Sequence, residues 1–196
     1  MSQMITDKAS YKKYVERDLK AYELKKISLY NYFWMDTVRF QLRMRKIEYL
    51  HNVYRGNFIR KIQLLFLELL NHQLAVRLGF SIPKNVFGAG LCIVHYGTIV
   101  VSSKAKIGEN CRIHPSTSIG EYNGTPTIGN NVYIGPGAKI FGQIKIGNNV
   151  AIGANAVVNS DIPDNVTVGG IPAKIISEKS SLEIDVFPSD FINSTK

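Results

Sequence analysis

Four histidines carry the acid–base chemistry open to this chain near neutral pH: His51, His72, His95 and His114. His95 stands out by its setting, Gly90-Leu91-Cys92-Ile93-Val94-His95-Tyr96-Gly97-Thr98-Ile99-Val100-Val101. An imidazole could serve as a general base that takes the proton of a nucleophile, with a donor for developing negative charge and substrates held in line completing the chemistry. His114 follows Ile113 about one repeat later and could line one cleft with His95, assist binding or relay a proton. His51 and His72 fall among helix-forming residues and are expected to pack or face solvent. Two cysteines, Cys92 and Cys111, are too few for a disulfide framework, and no metal site is expected.

The elements that must position His95 are read from composition. Residues 1–80 hold two glycines, Gly56 and Gly79, and no proline; residues 81–196 hold all seven prolines and the other fourteen glycines. The first part therefore reads as long helices and the second as many short elements. Apolar residues recur at helical spacings around Trp34, Met35, Val38, Phe40, Leu42 and Met44. A second helical segment spans 57–78, with Gly56 as the break before it and Gly79 as its C-cap. Its Ile62–Leu70 core is apolar except for Gln63 and Glu68, which predicts burial on most sides.

The second part is a repeat of six. Hexads begin at Ile107, Ile113 and Ile119 and, after an insertion, at Ile128, Ile134, Ile140, Ile146, Ile152 and Val158. Fainter ones begin at Phe87, Ile93 and Ile99, with two extra residues before Ile107. This period predicts a three-sided β-solenoid from about Ser81 to Pro163, with one short strand and one turn per hexad. The first-position aliphatics point inward and stack coil on coil, and Gly or Asn takes the corners.

The repeat resembles the hexapeptide-repeat acyltransferases, whose left-handed β-helices form trimers. The terminal Asp161-Ile162-Pro163-Asp164-Asn165 and Val168-Gly169-Gly170-Ile171-Pro172-Ala173-Lys174-Ile175-Ile176 resemble the end of members that use acetyl-CoA. The helical first part and the Gly90–Val101 run look most like serine O-acetyltransferase, and many similar short proteins are associated with polysaccharide biosynthesis. The resemblance implies an α+β chain: a helical region over 1–80, a left-handed parallel β-helix of hexapeptide repeats over 81–176, and a tail over 177–196. It implies His95 as the catalytic base in a homotrimer with sites between subunits. It implies an acetyl-CoA groove marked by Gly135, Ala138, Ala154 and Ala156, with Lys174 meeting the CoA phosphate.

The acceptor is where the chain departs from that family. Val94 stands where the family has an Asp that contacts serine, and Phe80 where a second carboxylate orients the histidine. Gly124-Thr125 replace an Arg-His pair in a short loop, Glu121-Tyr122-Asn123-Gly124-Thr125-Pro126-Thr127. A serine zwitterion lacks its partners at these positions, and an unpaired buried charge is costly. The expected acceptor is therefore a sugar hydroxyl of a surface polysaccharide, with Glu121, Tyr122 and Asn123 binding the sugar or orienting His95 from the neighbouring subunit. The alternative is serine O-acetyltransferase in cysteine synthesis, although the chain ends Asn193-Ser194-Thr195-Lys196 without the isoleucine that docks a partner synthase in that family.

Charge leaves a third reading. Residues 1–80 carry 15 Lys/Arg against 7 Asp/Glu, most of the net +9. A non-catalytic scaffold could use that basic helical region, with Tyr30, Tyr32, Phe33 and Trp34, against an anionic membrane or a nucleic acid. The expectation is a solvated helical face instead, with no nucleic acid and at most peripheral membrane contact. Without an apolar leader or a span of 18 to 20 apolar residues, the protein is expected to be soluble and cytoplasmic.

Overall fold

The computed structural model describes residues 4–53 and 58–188. Four helices come first: α1 (Lys8–Ala21), α2 (Leu29–Trp34), α3 (Asp36–Asn52) and α4 (Phe58–Leu78). Helix α1 starts with a capping box, in which the Asp7 carboxylate accepts from Ser10 N while the Ser10 hydroxyl accepts from Asp7 N. Gly79 closes α4 at φ +77, with its N–H on Val76 O. The expected break at Gly56 lies outside the described residues.

Fourteen short strands follow. β1 (Phe80–Ser81), β3 (Ile99–Val101), β6 (Thr117–Gly120), β9 (Lys139–Phe141) and β12 (Val157–Val158) form one parallel sheet. β4 (Lys106–Ile107), β7 (Thr127–Ile128) and β10 (Lys145–Ile146) form a second. β2 (Cys92–Ile93), β5 (Arg112–Ile113), β8 (Tyr133–Ile134), β11 (Ala151–Ile152) and β13 (Thr167–Gly169) form the third, and β14 (Lys174–Ser177) adds to it antiparallel. The chain visits the three sheets in turn, a left-handed parallel β-helix of about five turns. It runs past the expected end at Pro163 to Gly169.

The hexad rule explains the core. Ile93, Ile113, Ile134, Ile152 and Val168 stack through successive coils, each fully buried. At one corner Asn110, Asn131, Asn149 and Asn165 adopt φ of 61°, 56°, 57° and 61°, which Asn tolerates better than branched residues. Their amides form a ladder, Nδ2 to Oδ1, at 2.7–2.8 Å.

The helices close the open edge of the first coil. Arg45 donates to Phe87 O at 3.0 Å and Gly88 O at 2.6 Å. The Asp18 carboxylate accepts from Gly90 N at 2.8 Å and Leu91 N at 3.0 Å, and Gln41 Nε2 donates to Leu91 O at 2.7 Å. Without these partners an unpaired strand edge would be buried, at about 1–3 kcal/mol per lost group. Arg45 is itself fully buried and ion-paired to Asp18 and Glu48 at 2.8 and 2.9 Å.

One expectation fails. Ile62, Leu65, Phe66 and Leu69 of α4 are 51–60% exposed, not buried. Only Asn71, Leu74 and Leu78 of α4 are buried, because the helix meets α3 and the solenoid along one stripe and turns the rest of its apolar surface outward. Leu29, Tyr30, Phe33 and Trp34 of α2 are also exposed.

Candidate active site

The corner between β2 and β3 carries His95. Cys92 and Ile93 pair with Arg112 and Ile113, an offset of twenty, while Ile99 and Val101 pair with Thr117 and Ile119, an offset of eighteen. The two extra residues of this coil therefore lie within 94–98. They do not lie just before Ile107, as the hexad count suggests, because Ile99 and Val101 both point inward and Val101 holds the regular phase. The solenoid widens where its exposed histidine sits. Tyr96, next to it, is also exposed.

Both flanks of that corner are pinned. Tyr22, at the end of α1, accepts from Ile93 N and donates to Ile93 O, each at 2.9 Å. On the other side Gly97 N donates to Leu78 O and Ile99 N to Gly79 O. Gly97, at φ +133, passes so close to Pro115 that a Cβ would meet it at 3.0 Å. The His95 imidazole has no hydrogen-bond partner among the described residues of its own chain, so both ring nitrogens are open to a ligand.

His114 occupies a different setting. It stacks one coil below Val94, its N–H on Ile134 O, with its ring edge-on to Tyr133 at 5.1 Å. Its Nε2 is buried and unpartnered among the described residues. Burial, with Arg112 and His95 nearby, pulls its pKa down to about 4. It is neutral at pH 7 and still has one side free for a hydrogen bond.

The Glu121 loop lies at another corner, between β6 and β7, and does not meet His95 within one chain. Glu121 is tied to the Ser102 hydroxyl at 2.6 Å and Lys104 Nζ at 2.9 Å, which hold its carboxyl below the usual range. Tyr122 is exposed and edge-on to Phe141, and Asn123 takes φ +51 in the turn.

Below His95, the same corner continues through Pro115, Pro136 and Ala154, linked by Gly137 N to Pro115 O and Asn155 N to Pro136 O. Each coil adds about 4.8 Å, so Ala154 lies about 14 Å from His95 along this line. Ala154 is exposed there and Lys174 is exposed on β14. Gly135 sits inside the line, where a Cβ would meet Ile152 O at 2.8 Å. Ala138 and Ala156 correct the expectation. Both are fully buried, stacked inward beneath Thr117, so their methyls pack the core and line no surface groove.

The thiols offer no rival nucleophile. Burial pushes Cys92 up to about 11 and Cys111 further still. No group of three metal-ligating side chains occurs among the described residues, and none of the described helices is long and apolar enough to cross a membrane. Sequence reading missed Tyr22 and Arg112. The pattern does mark Arg112 as an outward position one strand below Cys92, but nothing in it ties Tyr22 to Ile93.

Known proteins resemble this arrangement. A family signature described as bacterial transferase hexapeptide (six repeats) matches residues 125–160. A serine acetyltransferase of Synechococcus elongatus is 38% identical over 123 residues, 60% of this chain and 50% of that one. One from Helicobacter pylori is 40% identical over 101 residues, 49% of this chain and 59% of its own. The chain thus matches about half the length of these relatives. Among solved structures, serine acetyltransferase from Brucella abortus in complex with coenzyme A superposes with a TM-score of 0.70 at 25% identity, covering 88% of this chain and 70% of that one. The Neisseria gonorrhoeae serine acetyltransferase in complex with serine gives 0.68 at 30% identity, covering 87% and 70%.

Proposed function

The chain belongs to the hexapeptide-repeat transferases, and on that premise we propose that it is an acetyl-CoA-dependent O-acetyltransferase with His95 as its general base. The observation that carries this reading is the widened β2–β3 corner, which exposes one imidazole with both nitrogens open. Below it the corner runs to Ala154 and Lys174, a track long enough for an extended thioester. His95 takes the acceptor hydroxyl proton, the oxygen attacks the acetyl carbonyl, and the C–S bond breaks as the new C–O bond forms. The proton held on His95 then passes to the departing CoA thiolate.

The acceptor we infer is serine. Every relative described above is a serine acetyltransferase, and together they favour serine over the surface-polysaccharide sugar expected from the sequence. The exposed apolar faces of α2 and α4 support a homotrimer, in which Glu121, Tyr122 and Asn123 of one subunit would approach His95 of the next. Use of acetyl-CoA, a cytoplasmic metabolite, supports a cytoplasmic location. The test is CoA-thiol release from acetyl-CoA with L-serine in one arm and a panel of sugars and nucleotide-sugars in the other. Release with L-serine alone is expected. Release with a sugar alone would overturn serine as acceptor, and no release in any arm would overturn the activity.

A further inference from the structure

Helix α2 buries none of its six residues. Ser28 caps its start, accepting from Asn31 N at 3.0 Å. Its attachments to α3 use the half-buried Tyr32, whose hydroxyl accepts from Arg43 Nε at 3.2 Å, and Phe33 O, which accepts from Arg39 Nη1 at 2.8 Å. The helical period turns Leu29, Tyr30, Phe33 and Trp34 to the side away from Tyr32. They are 63–80% exposed, and the Tyr30 and Trp34 rings lie 6.2 Å apart on that side. An apolar face displayed so fully marks a contact with something outside the chain.

Charge identifies the partner. Residues 24–35 contain two lysines, Lys25 and Lys26, and no acid. Both lysines are exposed, as are Ile27 and Ser28 after them, so a cationic step leads directly into the aromatic face. Asp36, the first acid beyond it, is paired with Arg39. Helix α4 differs. Its residues 62–69 hold no Lys or Arg, and Glu68 among them is paired with Lys84 at 2.7 Å. A neutral apolar face of that kind suits a second copy of the chain, which leaves the α2 face outward in a homotrimer. Symmetry about one axis then sets three such faces at one level.

A nucleic acid would pair with the lysines and give the four apolar side chains nothing, because its binding is dominated by phosphate. An anionic bilayer rewards both parts. Its headgroups meet the lysines, Tyr and Trp rings sit at headgroup depth, and Leu and Phe enter the acyl boundary.

We propose that residues 25–34 form a peripheral docking surface for an anionic lipid bilayer. Leu29, Tyr30, Phe33 and Trp34 enter the interface, and Lys25 and Lys26 lie on the headgroups. This surface is independent of which hydroxyl the enzyme acetylates.

Trp34 is the only tryptophan of the chain, so its emission reports this face without a label. The test mixes the full chain with vesicles of phosphatidylcholine alone or of equal parts phosphatidylcholine and phosphatidylglycerol, and follows Trp34 emission and co-flotation. A blue shift and flotation are expected with the anionic vesicles and not with the neutral ones. Raising salt from about 0.1 M to about 1 M should weaken both. The double variant Lys25→Glu/Lys26→Glu is expected to bind about tenfold more weakly or worse. Should it fail to fold, Phe33→Ser decides, with a severalfold loss. No shift with either vesicle, an equal shift with both, or binding unmoved in the decisive variant overturns the proposal. So does a blue shift that follows protein concentration without lipid, which would assign the face to a second copy, or one produced by duplex DNA and not by vesicles.

Discussion

In the solenoid, inward aliphatics lie above others of the same kind, and one chain closes that core by itself. The helical half has no such repetition. It meets the solenoid through a small apolar patch, Phe40, Met44, Leu74 and Leu78, and through Arg45, Asp18, Gln41 and Tyr22, a polar seam against the backbone of residues 87–93, and it turns its remaining apolar surface outward. The difference teaches where precision is stored. Stacking sets the scaffold, but the seam sets the first coil, which carries two extra residues between β2 and β3, and His95 is on that coil.

Four changes would break or sharpen that contrast. The largest effect belongs to the departure itself: His95→Ala should lower turnover by about two to four orders of magnitude with an unchanged melting curve, read by CoA-thiol release. Arg45→Met comes next. It strands Asp18 and Glu48 without their cation and should lower stability by about 3–5 kcal/mol in urea unfolding. It should also lower the kcat of the molecules that remain folded, because the strand before His95 loses its clamp. Ile134→Ala is the control from the repeat. It should lower stability by about 2–5 kcal/mol with kcat nearly unchanged, since the coils above it keep their own stacking. If the two variants lose kcat equally, the seam has no special role.

The smallest effect is a pH dependence. The pKa of His114 is lower in the folded protein than the usual 6.5, at about 4. The native state then binds fewer protons between those values, so stability falls as pH drops through that window. His114→Asn should flatten the fall, measured as melting temperature at pH 7 and pH 4.5. A profile identical to the wild type would remove His114 as its source.

The solenoid was legible because hexads from Ile107 to Val158 obey a rule that one chain satisfies alone. The C-cap at Gly79 was legible for the same local reason. The position of the two extra residues was not, since Ile99 and Val101 are both aliphatic and only strand register decides which one holds the phase. Ala138 and Ala156 misled because a small residue inside a narrow coil and one beside a groove look alike in sequence. The exposure of Ile62, Leu65, Phe66 and Leu69 escaped prediction because periodicity reports an apolar face and not what covers it. His95 was legible as a candidate. Tyr22 was not, because residues 22 and 93 meet only through the fold.

The most direct test of the central claim is L-serine-dependent release of CoA from acetyl-CoA by the wild type and His95→Ala, side by side, with O-acetylserine identified by mass spectrometry. The account predicts product from the wild type and at least a hundredfold less from the variant at equal folding. Equal rates from the two proteins would contradict it.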